Sequence, residues 1–359
     1  MVCATRWPRS SELDRALTAA AAGLNWVLVE RIARRHRVEA LVWAAMRRVG
    51  LDAPSGPTQA LAAAADRLAR QNLRIAAACS ALRETFDRAG IPILFVKGIS
   101  LAQLAYGNIL LKSGWDIDIL VPSHCAKSAA DQLRAMGYEP VIPAGFADTG
   151  AVVAWHRLFK ESVWRHPVRG THVELHTALT DHPMLLRGVG SDSPTQDVRI
   201  SGHFALPTLA TDELFAYLCV HGGSSAWFRL KWIADLAALL APCDAVELDR
   251  LYARSQELGA ARAADTALIL CHDLFQTRVS PARVEALRSR PGNRRLLAAV
   301  QRSLVGRAVA TELSDLRFGT WAVHLFQAGV MPGLRYKLTA LWVELQSKAR
   351  HHPRFRARR

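Results

Sequence analysis

The hydrophobic rhythm of this chain changes twice, and those changes limit the folds open to it. From Ser10 to about Gly90, Ala, Leu and Arg recur at helical spacing. In "QNLRIAAACSALRETFDRAG" the positions Leu73, Ala77, Ala78, Leu82 and Phe86 fall on one helix face. The period then shortens: "IPILFVKG" reads as a buried strand, "ISLAQLAYG" as a short helix and "WDIDILVP" as a second strand. "SHCAKSAADQLRAMGY" follows as a helix with Ser123 at its N-cap. Strand signals return in "RLFKESVWRH" and "THVELHTAL". Helical spacing resumes from Pro207, with a helix start at Thr211, Asp212 and Glu213 and a clear segment in "FRLKWIADLAALL". The expected fold is α+β: a mixed sheet over residues 91–206, helical regions at 1–90 and 207–347, and a basic tail at 348–359.

Composition narrows the class. Half of the 359 residues are apolar and 21% are charged, as in soluble globular proteins, which excludes a disordered chain. The formal charge of +15 favours polyanionic partners. Six of those charges lie between Lys348 and Arg359 with no acid among them. This reads as a solvated end rather than a nucleic-acid arm, because Phe355 alone gives no aromatic interleaving. The six cysteines form no C-x-x-C pair, which argues against a disulfide framework or a zinc knuckle and points to a reducing compartment. The apolar run from Ala16 to Val29 is fourteen residues, too short to span a bilayer, so a cytoplasmic location is expected.

The chemistry concentrates in the middle block. In a strand, Asp116 and Asp118 project side by side, and two such carboxylates repel unless something cationic lies between them. A pair of divalent ions bridged by carboxylates is the arrangement that serves phosphoryl transfer, and oxygen ligands favour Mg²⁺ or Mn²⁺. In "THVELH", His172, Glu174 and His176 share one face, so Glu174 can be a third carboxylate. The same three residues also suit a transition-metal site, with His176 otherwise an outer hydrogen-bonding residue. Lys97 and Gly98 stand where a strand gives way to a helix, a ready anion site to which Ser100 could add a hydroxyl. Lys231 or Arg229 could reach a phosphate, and Asp235 reads as a structural partner for a base.

These residues resemble a known family. Lys97-Gly98, Leu101, Tyr106 and Asp-Ile-Asp-Ile-Leu-Val to Val121, followed by "VELHTAL" and "HGGSSAWFRLKWIADLAALL", resemble the uncharacterised nucleotidyltransferases related to the DNA polymerase β superfamily, over about residues 25 to 245. The resemblance implies a nucleotidyltransferase fold, with Gly98 in the phosphate turn, Asp116 and Asp118 as the metal pair and Glu174 as the third acid. Ile99 stands where the superfamily prefers Gly or Ser, and Lys112 stands where relatives often carry Arg, keeping the charge but losing the fork. Trp115 is bulky for a turn facing substrate. The implied reaction transfers a nucleoside monophosphate from a triphosphate to a hydroxyl of a peptide, protein or sugar. The alternatives are a catalytically lapsed scaffold, disfavoured by the intact acid trio, and a basic nucleic-acid binder, disfavoured by the tail.

Overall fold

Five helices lead the chain: α1 (Val2–Thr5), α2 (Ser11–Ala21), α3 (Trp26–His36), α4 (Glu39–Val49) and the long α5 (Ser55–Arg88). The computed structural model describes residues 1–51, 54–143, 150–202, 204–305, 329–330 and 333–350, the side chains of 343–350 excepted. Most of the basic tail therefore lies outside the described residues. In α5 the buried positions are Leu61, Asn72, Ile75, Ala78, Cys79, Leu82 and Phe86. Leu73, expected on this face, is 57% exposed. The face is turned because the Asn72 amide donates to the carbonyls of Ile109 (2.6 Å) and Lys112 (3.0 Å). A buried side chain amide is thereby satisfied, and the loop carrying Lys112 is tied to α5.

The middle block follows as β1 (Leu94–Phe95), α6 (Ile99–Tyr106), β2 (Asp116–Leu120), α7 (Ala126–Ala135), β3 (Glu139–Ile142), α8 (Gly150–His156), β4 (Glu161–Arg165) and β5 (His172–His176). The first strand is shorter than expected because the chain turns at Lys97 and Gly98. Ser123 is not the N-cap of α7: it begins a tight turn over Ser123–Cys125, makes no capping hydrogen bond, and the helix starts three residues later at Ala126. The sheet order is β1-β2-β5-β4-β3. Only β2 and β5 pair in parallel; the other neighbours are antiparallel. A hairpin, β6 (Thr195–Ser201) and β7 (Phe204–Leu209), runs three residues into the stretch where sequence spacing predicts a helix from Pro207. Pro207 lies within β7, and the helix begins at Thr211.

The remaining helices are α9 (Thr211–Ser224), α10 (Leu230–Leu240), α11 (Ala245–Glu257), α12 (Ala261–Phe275), α13 (Pro281–Ser289), α14 (Asn293–Val305) and α15 (Leu334–Arg350), making fifteen among the described residues. The molecule is thus a mixed α+β protein built on a five-stranded sheet. One sheet face, with Ile117, Ile119, Trp164, Val173 and Leu175, packs with Ile75, Leu82 and Phe86 of α5 and Leu133 of α7. Leu94, Val96 and Leu120 on the other face join a larger core that runs continuously through α4, α6, α9, α10 and α12. The first and last helical regions share this core. His36 of α3 accepts the Leu230 N–H at 3.1 Å, satisfying an orphan donor at the start of α10.

Candidate active site

Register assembles the acids. Along the parallel pair, Asp116 stands opposite His172, Asp118 opposite Glu174 and Leu120 opposite His176. On the far side of β5, Glu161 stands opposite His176. Alternate residues share a face, so Asp116, Asp118, Glu161, Glu174 and His176 all project toward the helical layer. α9 adds the buried Tyr217, whose hydroxyl feels Lys97, Asp118, Glu174 and Glu161.

Asp118 is buried, 3% exposed, and Lys97 supplies the cation: its Nζ lies 2.7 Å from Asp118 Oδ1. His176 Nε2 lies 3.3 Å from the same oxygen and 3.5 Å from Glu174 Oε2. His176 Nδ1 lies 3.5 Å from Glu161 Oε2, and Glu161 in turn pairs with Lys160. Among the described residues, Asp118, Glu174 and His176 bring ligating atoms within 4.8 Å of one another. Asp116, expected to join Asp118 and Glu174, sits partly exposed at the head of β2 on the same face. His176, read from sequence as an outer residue, lies inside the cluster, whereas His172 is not in it.

The electrostatics follow from this packing. Burial alone would lower the Lys97 pKa, but Asp118 outweighs it and holds the ammonium well above its ordinary value. Burial would raise Asp118, but Lys97 and His176 hold its carboxyl well below the usual range. Glu174 is pushed up, first by burial and then by Glu161 and the two aspartates. His176 is raised as well: burial and Lys160 oppose the imidazolium, and Asp118, Glu174 and Glu161 prevail.

The residues that sequence assigns to the nucleotide stand at or near the ends of α6 and α10. Gly98 caps the start of α6 at φ 67° and ψ −129°, a conformation only glycine adopts readily. Ser100 is buried in the first turn, and its hydroxyl makes no hydrogen bond. Tyr106 donates to Asp235 Oδ1 at 2.8 Å, and Lys112 Nζ lies 3.7 Å from Asp235 Oδ2, so Asp235 pairs with the base that sequence assigned to the nucleotide. Burial, followed by the positive charges of Lys112 and Arg37, lowers Lys231 to about 7. Arg229 caps α10 beside the Phe228 ring. Sequence reasoning missed Glu161, Tyr217 and Arg37. Period two places Glu161 on one strand face, but which face meets Asp118 depends on pairing with β5.

A divalent cation suits this group. Asp118 Oδ1 and both His176 ring nitrogens are buried without an aligned hydrogen bond, and the cluster offers two carboxylates and an imidazole. No helix among the described residues is long and apolar enough to cross a membrane. Comparison with curated proteins gives no match. The uncharacterised nucleotidyltransferase family matches residues 22–276, more than half of the chain. With that match laid over the acid cluster and the turn at Gly98, the chain belongs to the uncharacterised nucleotidyltransferase family and is a transferase.

Proposed function

We propose that this enzyme moves a nucleoside monophosphate from a nucleoside triphosphate to a hydroxyl of a peptide, protein or saccharide, releasing pyrophosphate. The catalytic unit proposed for residues 91–206 extends to the end of β7 at Leu209, the helices α1–α5 and α9–α14 flank it, and the six free cysteines fit a cytoplasmic location. Asp116, Asp118 and Glu174 would hold Mg²⁺ or Mn²⁺. When bound, the ion supplies polarisation of the α-phosphoryl group and stabilises charge on the attacking and leaving oxygens.

The protein's own groups prepare the rest. The N–H groups at the start of α6 offer an anion site, and Gly98 lets the phosphates approach the backbone closely. Lys97 keeps Asp118 neutralised before substrate arrives, and its flexible stem lets the ammonium turn to a phosphate oxygen. Lys112 and Lys231 surround Asp235 with more positive charge than one carboxylate offsets. A phosphate beside Lys231 would restore its full charge. Ser100 and Arg229 are the remaining donors assigned to the nucleotide.

The observation that carries this reading is the Asp118–Glu174 pairing across two parallel strands, with a cation already 2.7 Å from Asp118. The test incubates the protein and Mg²⁺ or Mn²⁺ with the four α-labelled triphosphates and candidate acceptors. Label transfer matched by pyrophosphate release is expected. Triphosphate binding without any transfer would return the lapsed scaffold, and label on the protein itself would identify self-modification.

A further inference from the structure

We infer that His176 is a ligand of the divalent ion and that Glu161 is the residue that positions it, so the site selects a first-row transition dication over Mg²⁺. This rests on the nucleotidyltransferase reading only for an ion being held in the cluster. His176 is 1% exposed, and neither ring nitrogen has an aligned hydrogen bond. Its Nε2 faces two carboxylate oxygens, Asp118 Oδ1 at 3.3 Å and Glu174 Oε2 at 3.5 Å. Its Nδ1 faces a third, Glu161 Oε2 at 3.5 Å.

Both ring nitrogens face carboxylates, so an ion among Asp118, Glu174 and Nε2 would leave the ring its Nδ1 proton, held toward Glu161, and take the Nε2 lone pair. Glu161 stands behind the ring, fixed by its place opposite His176 in the sheet and by Lys160. Without an ion, Nε2 meets the anionic oxygens of Asp118 and Glu174 as a proton donor; a dication entering among them displaces that proton and takes the nitrogen as a ligand beside the two carboxylates. Lys97 offsets only the Asp118 side of that negative charge. A dication reached by two carboxylates and a nitrogen differs from an all-oxygen site: Mg²⁺ keeps oxygen ligands and water, whereas imidazole suits transition metals. Mn²⁺ is the probe, since it also accepts the carboxylates.

The test titrates Mn²⁺ into the metal-free full-length protein without nucleotide, following free Mn²⁺ by electron paramagnetic resonance, and then competes it with Mg²⁺. The variants are His176→Gln, Glu161→Gln and Asp118→Asn, with thermal melts to establish folding. Wild type should hold Mn²⁺ at least tenfold more tightly than Mg²⁺. Loss of an outer carboxylate that orients a histidine ligand lowers metal affinity by roughly 10–100-fold. Glu161→Gln should lose about that much for Mn²⁺ and His176→Gln at least as much, while Mg²⁺ affinity stays within a few-fold. If both variants keep wild-type Mn²⁺ affinity and Asp118→Asn alone loses it, the ion sits on acids only. The inference then falls, while the transferase reading, judged by α-label transfer, stands. Equal wild-type affinity for the two ions, or no ion binding, also overturns it. Should Glu161→Gln fail to fold, the wild-type ion ratio and His176→Gln decide.

Discussion

Asp118 and Asp265 are both deeply buried aspartates, 3% and 2% exposed, and their surroundings are opposite in kind. Asp265 of α12 has partners for both oxygens: the Tyr252 hydroxyl donates to Oδ1 at 2.6 Å, the Asn293 amide to Oδ2 at 2.8 Å, and Arg290 closes on Oδ1 at 3.2 Å. Tyr252 of α11, Asp265 of α12, Arg290 at the end of α13 and Asn293 of α14 are stitched together there. Asp118 has close charges instead of aligned donors, and its Oδ1 has no hydrogen bond of good geometry. A carboxylate built for stability is saturated by its own protein. The Asp118 carboxylate shares one oxygen between Lys97 and His176, in a cluster of titratable groups of the kind functional sites gather.

The same substitution at both sites separates the two aspartates most strongly. Asp118→Asn should lower turnover by orders of magnitude, because each 1.4 kcal/mol of lost transition-state stabilisation costs about tenfold. Asp265→Asn should instead destabilise the fold by about 1–3 kcal/mol, by turning a donor toward donors, and leave turnover per folded molecule unchanged. Rates and denaturant melts on both variants separate the roles, and a reversed pattern would undo the contrast.

How much of this was legible in sequence depends on how local the signal is. The Asp116–Asp118 spacing and the Lys97–Gly98 turn are local, and both stand where the rhythm places them. The spacing also calls for a cation between like charges, but sequence points Lys97 at phosphate, whereas the pairing of β1 with β2 sets it against Asp118. Glu161 joins the cluster only through β4 pairing with β5. Leu73 and Asn72 exchange places because an apolar-inside reading has no term for a buried amide that satisfies two loop carbonyls. The hairpin at residues 195–209 was hidden by Pro207, which reads as a boundary but lies within a strand.

His36 extends the comparison to a third buried polar group, one fitted as neutral. Its folded pKa is lowered to about 4, by burial first and then by Arg35, from an ordinary 6.5. Between these values the unfolded chain binds more protons, so stability is complete above about pH 6.5 and is lost as pH falls toward 4. The loss is at most about 3 kcal/mol. Denaturant melts from pH 7 to 4.5 should show this slope in wild type and a shallower one in His36→Asn; equal slopes would remove His36 as the cause.

Smaller effects belong to the turn. Gly98→Ala at φ 67° and ψ −129° should cost about 1–3 kcal/mol and weaken triphosphate binding. Gly107→Ala, at the other end of α6 with φ 62°, should cost about 1 kcal/mol and leave triphosphate affinity alone. Calorimetric titration with a triphosphate distinguishes them, and equal affinities would move the phosphate site away from α6. Deleting Arg350 to Arg359 removes five arginines, and only non-specific polyanion binding and its salt dependence should fall.

We propose a divalent ion in the Asp118 cluster. The most direct test is the melting temperature of wild type, Asp118→Asn and Asp265→Asn, each with and without Mn²⁺ or Mg²⁺ plus a triphosphate. A ligand at 100 times its Kd stabilises the folded state by about 2.7 kcal/mol, enough to raise the melting temperature by several degrees. Wild type and Asp265→Asn should show that rise in full, the latter from a lower starting point, and Asp118→Asn should lose most of it. A full metal-dependent rise in Asp118→Asn would contradict the account.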